Sequence, residues 1–203
     1  MKKTIVTIGR QYGSGGREIG RRLAEKLGIP FYDKKLIEMA AKESGMDPEV
    51  FAHVDETATN SLLYALSMGN FAVNSQTGQL LENSINDRVF FAVADYIRKV
   101  AEKGSCVIVG RCADYILRER TDTLNIFIHA DLEHRIQRVK EEYGKEHRVE
   151  ELIRKIDKQR ANYYNYYSSQ KWGNLANYDL VLDTGKFGID GAVAILDVAI
   201  ENL

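Results

Sequence analysis

Residues 4–9 (Thr-Ile-Val-Thr-Ile-Gly) are β-branched and mostly apolar, and a few residues later the chain turns through Gly13-Ser14-Gly15-Gly16. Beyond the turn, Ile19, Leu23 and Leu27 recur at helical spacing until Gly28 closes the segment. A short run that is apolar on both faces reads as a central, buried strand. A glycine-rich turn that leads from such a strand into a helix exposes several backbone N–H groups toward one centre, at the positive end of the helix dipole. Glycines let that backbone curl closely around an anion. So much glycine costs conformational entropy, which argues for a purpose beyond the turn itself. The segment is therefore expected to grip phosphate, and its strand to lie inside an α/β sheet.

The rest of the chain supports that class. Pro30-Phe31-Tyr32 reads as a second strand, and residues 34–44 as an amphipathic helix ended by Gly45. Asp47-Pro48-Glu49 opens another helix, with Asp at the cap and Pro at the first position. A helix is expected over 59–68, a loop over 69–78, and a long helix over 79–102. Cys106-Val107-Ile108-Val109 is a third strand and 124–128 a fourth. Helices are expected at about 131–142 and 148–168, a fifth strand at 178–183 and a last helix at about 189–201. Strands apolar on both faces and separated by helices imply a five-stranded parallel sheet with helices on both faces. Ligands of such sheets bind at the carboxyl ends of the strands. That places Gly9 to Arg17, Asp33, Gly110-Arg111, His129 to Asp131 and Asp183-Thr184 on one rim.

Composition narrows the partners. The chain has 203 residues and a net charge of -1, which suits a single domain and not a strongly basic nucleic-acid binder. Its two cysteines, Cys106 and Cys112, fall in and just after a buried strand and read as reduced, buried thiols of a cytoplasmic protein. The N-terminal Met-Lys-Lys leads directly into a strand without an apolar leader, and no window approaches 18 apolar residues, so neither a signal peptide nor a membrane span is expected. The four histidines show no metal-ligand spacing, and no residue is assigned to a metal. The long helix at 79–102 is a candidate homodimer surface or core element; its pattern leaves both open.

The loop departs from the usual phosphate-loop pattern G-x-x-x-x-G-K-S/T. With Gly15 as the second glycine, Arg10 stands at the first, Gly16 at the lysine and Arg17 at the hydroxyl that would meet magnesium. Arg17 is one candidate for the missing charge, and Arg10 is another if it folds back over the loop, since a guanidinium forks onto phosphate oxygens. Magnesium tolerates mostly water ligands, so the nucleotide and one acidic residue are enough to hold it. The dinucleotide fingerprint G-x-G-x-x-G fails, because Glu18 stands where its last glycine belongs.

The run GSGGREIGRRLAEKLG, residues 13–28, resembles the cytidylate kinase-like family, a branch of the nucleoside monophosphate kinases that carries GSGG-R in place of GSGK-S/T. Further matches are Ile29-Pro30-Phe31-Tyr32-Asp33, Cys106 to Arg111 (the family's I-x-G-R element), and Ile126 to Ala130 followed by Glu133, Arg135 and Arg138. Asp157 to Trp172, with Arg160 and Tyr163-Tyr164, is similar to the family's lid, and Tyr178 to Thr184 to its last strand. The resemblance covers nearly the whole chain except roughly 46–85.

The resemblance implies a P-loop kinase fold over 1–203, with a helical acceptor-region insert at about 33–85 and a helical lid at about 143–175. It implies phosphoryl transfer from ATP, with Mg2+, to a nucleoside monophosphate: CMP + ATP to CDP + ADP. Arg10, Gly13, Ser14, Gly15, Gly16 and Arg17 would bind nucleotide phosphate, and Arg17, Arg135, Arg138 and Arg160 would serve catalysis. Asp33, Lys34 and Arg111 would bind the acceptor. Where cytidylate kinases proper carry a Tyr-Arg pair after the second strand, this chain reads Asp33-Lys34-Lys35, so a lysine would replace that arginine. Tyr163, Tyr164, Tyr166, Tyr167 and Trp172 replace an arginine-rich stretch, either as a packing stripe or as a stacking surface. Two other readings stand beside the kinase: a nucleotide-binding sensor with little catalysis, and a kinase for another small acceptor.

Overall fold

The computed structural model describes residues 3–45, 76–144 and 147–203. Strand β1 (Ile5–Arg10) runs through the centre of a five-stranded parallel sheet of order β2-β3-β1-β4-β5. The other strands are β2 (Phe31–Tyr32), β3 (Cys106–Val109), β4 (Thr123–His129) and β5 (Leu180–Asp183). The helices are α1 (Gly16–Leu27), α2 (Lys35–Ser44), α3 (Gln76–Lys103), the short α4 (Ala113–Ile116), α5 (Leu132–Tyr143), α6 (Val149–Ser168) and α7 (Thr184–Glu201).

The two-residue period of the strands divides the core. Ile5, Cys106 and Ile108 point to one face, where residues of α2, α3, α4 and α6 cover them. Val6, Ile8, Val107 and Val109 point to the other, under α1 and α7. The strand runs are apolar throughout because both faces of the sheet are buried. A smaller cluster, Val139, Val149 and Ile153, joins α5 to α6 beside Tyr12. Both cysteines are reduced and buried, and burial pushes the Cys106 thiol up to about 11. No helix among the described residues is long and apolar enough to cross a membrane.

Three boundaries differ from expectation by two residues or more. Helix α3 begins at Gln76, so Gln76, Thr77 and Gly78 are helical and not loop. Strand β5 begins at Leu180; Tyr178 is the cap of a 3-10 turn, and Asp179 instead ties the backbone of Asn125 from both sides, at 2.8 and 2.7 Å. Helix α7 begins at Thr184, five residues early, because the Asp183 carboxylate accepts from the Gly185 amide at 2.8 Å and caps a first turn. That turn breaks at Gly188 (φ 65°), and the longer helix follows. Helix α4 was not expected. The helices expected from Asp47 and over 59–68, and the loop up to residue 75, lie outside the described residues.

Candidate active site

The strand order reverses at β1: the chain leaves it for β2, returns through β3, then crosses to β4 and β5. A crevice opens at such a switch point, and the glycine turn lies in it. Gly13 and Gly15 both take left-handed backbone (φ 78°). A Cβ on Gly13 would meet the Arg135 carbonyl at 2.8 Å, and one on Gly15 would meet Ile189 Cδ1 at 2.3 Å. Gly15 caps α1 without a side-chain acceptor, so the first-turn amides are left for an outside anion. Ser14 is fully buried; its hydroxyl donates to the Gln11 carbonyl at 2.9 Å, and its carbonyl accepts from the Thr184 hydroxyl at 2.8 Å. Gln11 in turn accepts the Ala130 amide on its side-chain oxygen at 3.2 Å. The turn is thus anchored from below by β4 and α7.

A cleft of about 570 Å³ runs from this turn across the rim, lined by Arg10, Arg17, Asp33, Lys34, Arg111 and Arg160 among others. It brings together the expected phosphate-binding residues other than Ser14, the expected acceptor-binding residues and Arg160, while Arg135 and Arg138 lie outside its lining. Arg17 does not reach freely into it: Nε and Nη2 both bond Asp33 Oδ2, at 2.8 and 2.6 Å. Burial would raise the Asp33 carboxyl, but the Lys35 amide and the Arg17 guanidinium outweigh it and hold the carboxyl below its ordinary value. Arg111 is buried with left-handed backbone (φ 60°) at the end of β3. A non-glycine residue rarely takes that conformation, and such strain concentrates at functional sites.

Two of the remaining arginines, Arg135 and Arg160, tie α5 and α6 to the end of β1 and the turn after it. Arg160 donates to the Arg10 carbonyl at 3.0 Å and lies 5.6 Å over the Tyr12 ring. Arg135 is buried; it pairs with Asp157 at 2.5 Å, and its Nε has no hydrogen-bond partner among the described residues. Arg138 pairs with Glu142 at 2.7 Å, and its guanidinium carbon would stand 3.3 Å from a Cβ on Gly15. Asp157, which sequence reasoning missed, also accepts the Tyr12 amide at 2.7 Å. Its place one helical turn before Arg160, on the same face, was the available signal.

Most of the aromatic stretch is packing. Tyr163 and Tyr164 are buried, Tyr167 stacks on Phe90 with ring centroids 3.9 Å apart, and Trp172 meets Phe127 edge-on at 5.3 Å. The Tyr164 hydroxyl donates to Asp114 at 2.7 Å, in a small cavity of about 20 Å³ behind the rim. Burial of this carboxyl pushes its pKa up.

Among the described residues no group of three His, Cys, Asp or Glu side chains is arranged to hold a metal ion. The carboxylates lining the cleft are each engaged: Asp33 by Arg17, Glu18 by Arg21 and Arg22, Glu142 by Arg138. This donor set fits magnesium that arrives on a nucleotide with its waters, with Asp33 as the carboxylate beside the loop, and not a resident all-protein cage.

The sequence matches the model of the Cytidylate kinase-like family over residues 5–186. A cytidylate kinase of Methanopyrus kandleri is 30% identical across 98% of this chain and 94% of its own length. A cytidylate kinase of Pyrococcus horikoshii is 26% identical across 99% of this chain and 90% of its own. Among solved structures, an uncharacterized protein from Eubacterium ventriosum superimposes with a TM-score of 0.73 at 28% identity, covering 99% of this chain and all of that one (100%). A shikimate kinase from Bacteroides thetaiotaomicron, at 15% identity and a TM-score of 0.52 over 98% of each chain, shares the fold.

Proposed function

We propose a reaction for this chain, which belongs to the Cytidylate kinase-like family: transfer of the γ-phosphoryl group of ATP to a nucleoside monophosphate, with CMP as acceptor and CDP and ADP as products. Family membership makes the chain a nucleotide kinase; the acceptor is the proposed part. The observation that carries the reading is the single cleft joining the glycine turn to Asp33, Lys34 and Arg111. A donor phosphate chain on the turn and an acceptor phosphate at the rim would meet in it. The curated relatives of nearly equal length are cytidylate kinases, which favours CMP.

Phosphoryl transfer asks for alignment and neutralisation of charge, with little covalent work for the protein. On this reading an acceptor phosphate oxygen attacks the γ-phosphorus in line while the bond to the β–γ bridging oxygen breaks. First-turn amides of α1 hold the donor phosphates, Arg111 and Lys34 hold the acceptor, and Arg138 and Arg160 close over the moving group. Magnesium carried on the nucleotide would neutralise the phosphate chain. Asp33, tied to Arg17, sits between donor and acceptor ends and orients either the acceptor or a magnesium water.

A second reading, a nucleotide sensor with little turnover, is favoured by the absence of Lys and Ser/Thr at positions 16 and 17. One experiment separates them. The protein is incubated with ATP, Mg2+ and a panel of nucleoside monophosphates while ADP is followed. CMP-dependent ADP release supports the proposal. Turnover of another monophosphate alone would move the acceptor, and ATP binding without turnover of any would leave the sensor.

A further inference from the structure

Two of the loop's departures from the standard pattern stand against each other in space. Arg10 occupies the position of the first glycine, and Gly16 the position of the lysine. A Cβ built on Gly16 would lie 2.7 Å from Arg10 Cβ and 3.2 Å from Arg10 Cγ, with Ile128 Cβ at 3.3 Å. The 2.7 and 3.3 Å contacts are with Cβ atoms, the first of their side chains. The backbones of β1 and β4 fix them, so they have no rotamer by which to move aside.

Glycine at 16 is not required by backbone conformation. Gly13 and Gly15 have positive φ and Gly16 does not. It is the first residue of α1, with backbone that a side chain can adopt. What demands glycine there is the side chain at position 10. The standard pattern is the mirror arrangement, with glycine at the first position and a side chain at the second. A lysine at 16 and an arginine at 10 exclude each other, so an arginine at 10 requires glycine at 16.

We propose that the loop's cation has been moved from position 16 to position 10: the Arg10 stem crosses Gly16 and its guanidinium meets the β- and γ-phosphates of a nucleoside triphosphate. Arg10 lines the cleft with its stem against the residue at the lysine position; Arg17 lines it too, with its guanidinium on Asp33. A guanidinium binds two phosphate oxygens at once where lysine offers a point charge, so Arg10→Lys is not neutral. This assignment rests on the kinase reading and adds to it the residue that replaces the lysine.

The test combines ATP affinity with melting temperature. Arg10→Met keeps the stem and removes the charge; it is expected to weaken ATP binding tenfold or more, and Arg17→Met threefold or less. Arg10→Gly and Gly16→Lys alone are expected to lose ATP affinity, and the double variant R10G/G16K to return within about threefold of wild type. Independently of any ligand, Gly16→Ala is expected to lower the melting temperature in the wild-type background and not in the Arg10→Gly background. Equal cost of Gly16→Ala in both backgrounds would overturn that requirement for glycine. Wild-type ATP affinity in Arg10→Met, above all with affinity lost in Arg17→Met, would overturn the assignment of charge and leave the kinase reading standing. A wild type that binds no ATP would overturn the kinase reading and this proposal together, while the melting series would still report whether positions 10 and 16 constrain each other.

Discussion

Arg17 and Asp33 join the helix that follows the phosphate loop to the segment that follows β2, through two guanidinium nitrogens on one carboxylate oxygen, at 2.8 and 2.6 Å. The pair is unequal: the Asp33 side chain is 8% exposed and that of Arg17 65%. The carboxylate is therefore fixed, and it holds the exposed guanidinium beside the loop. The contact links the two ends of the cleft that the proposed reaction assigns to donor and acceptor.

The same pair predicts an acid-side loss of stability. Asp33 is held below its ordinary value in the fold. A carboxyl lowered in this way contributes stability that is complete above its unfolded pKa, near about 4, and lost as pH falls through the folded value. Asp33→Asn should cost about 1 kcal/mol at neutral pH, since one partner is exposed and screened. Urea midpoints measured from pH 7 to pH 3 should converge for wild type and variant at the acid end.

Asp114 predicts the opposite slope. Burial raises its carboxyl, so its contribution is present below the unfolded pKa and is lost as pH rises through the folded value. The Tyr164 hydroxyl at 2.7 Å also bonds a neutral amide in that place. Asp114→Asn should therefore be neutral or stabilising at pH 7, and thermal melts between pH 4 and 8 should show a flatter profile than wild type. A variant that melts well below wild type at pH 7 would mean that the ionised carboxylate is the stabilising form.

Asp157 joins α6 to the loop and to α5, because one carboxylate serves the Tyr12 amide and the Arg135 guanidinium. Asp157→Ala strands a buried positive charge and should destabilise by about 3 kcal/mol, the scale for removing one member of a buried pair. Asp157→Asn keeps an acceptor for the amide and should cost less. Chemical denaturation of both variants checks the order.

The sheet was legible because both its faces are buried: runs such as Ile5 to Ile8 and Cys106 to Val109 carry no competing pattern. The family resemblance was legible for a related reason, since its motifs lie at strand ends whose order the sheet imposes. Local capping was less visible. Gly185 and Gly188 look like loop residues, yet the Asp183 carboxylate starts α7 ahead of both. Pairings across the sheet were hidden altogether. Nothing in the sequence sets Arg17 against Asp33, or the Arg10 stem against Gly16, until β1 and β2 are placed. Charge alone left Arg10 and Arg17 equal as candidates, and only contact geometry separates them.

Arg111 offers the sharpest test of strain at the rim. It is buried, lines the cleft, and takes φ 60° where a side chain is disfavoured. Left-handed backbone costs a non-glycine residue roughly 1 kcal/mol or more, and glycine avoids that cost. At an ordinary position alanine is preferred to glycine; here the order should invert. Arg111→Ala and Arg111→Gly both delete the guanidinium and its packing, so the difference between them isolates the backbone. Arg111→Gly is expected to be the more stable of the two by about 1 kcal/mol in urea titrations. Both variants should lose acceptor-dependent ADP release to the same extent, because neither retains the charge proposed to hold the acceptor phosphate. If the glycine variant were the less stable, the left-handed conformation would not be a strained one. If either variant kept full turnover, Arg111 would be a structural element of the rim and not a ligand of the acceptor.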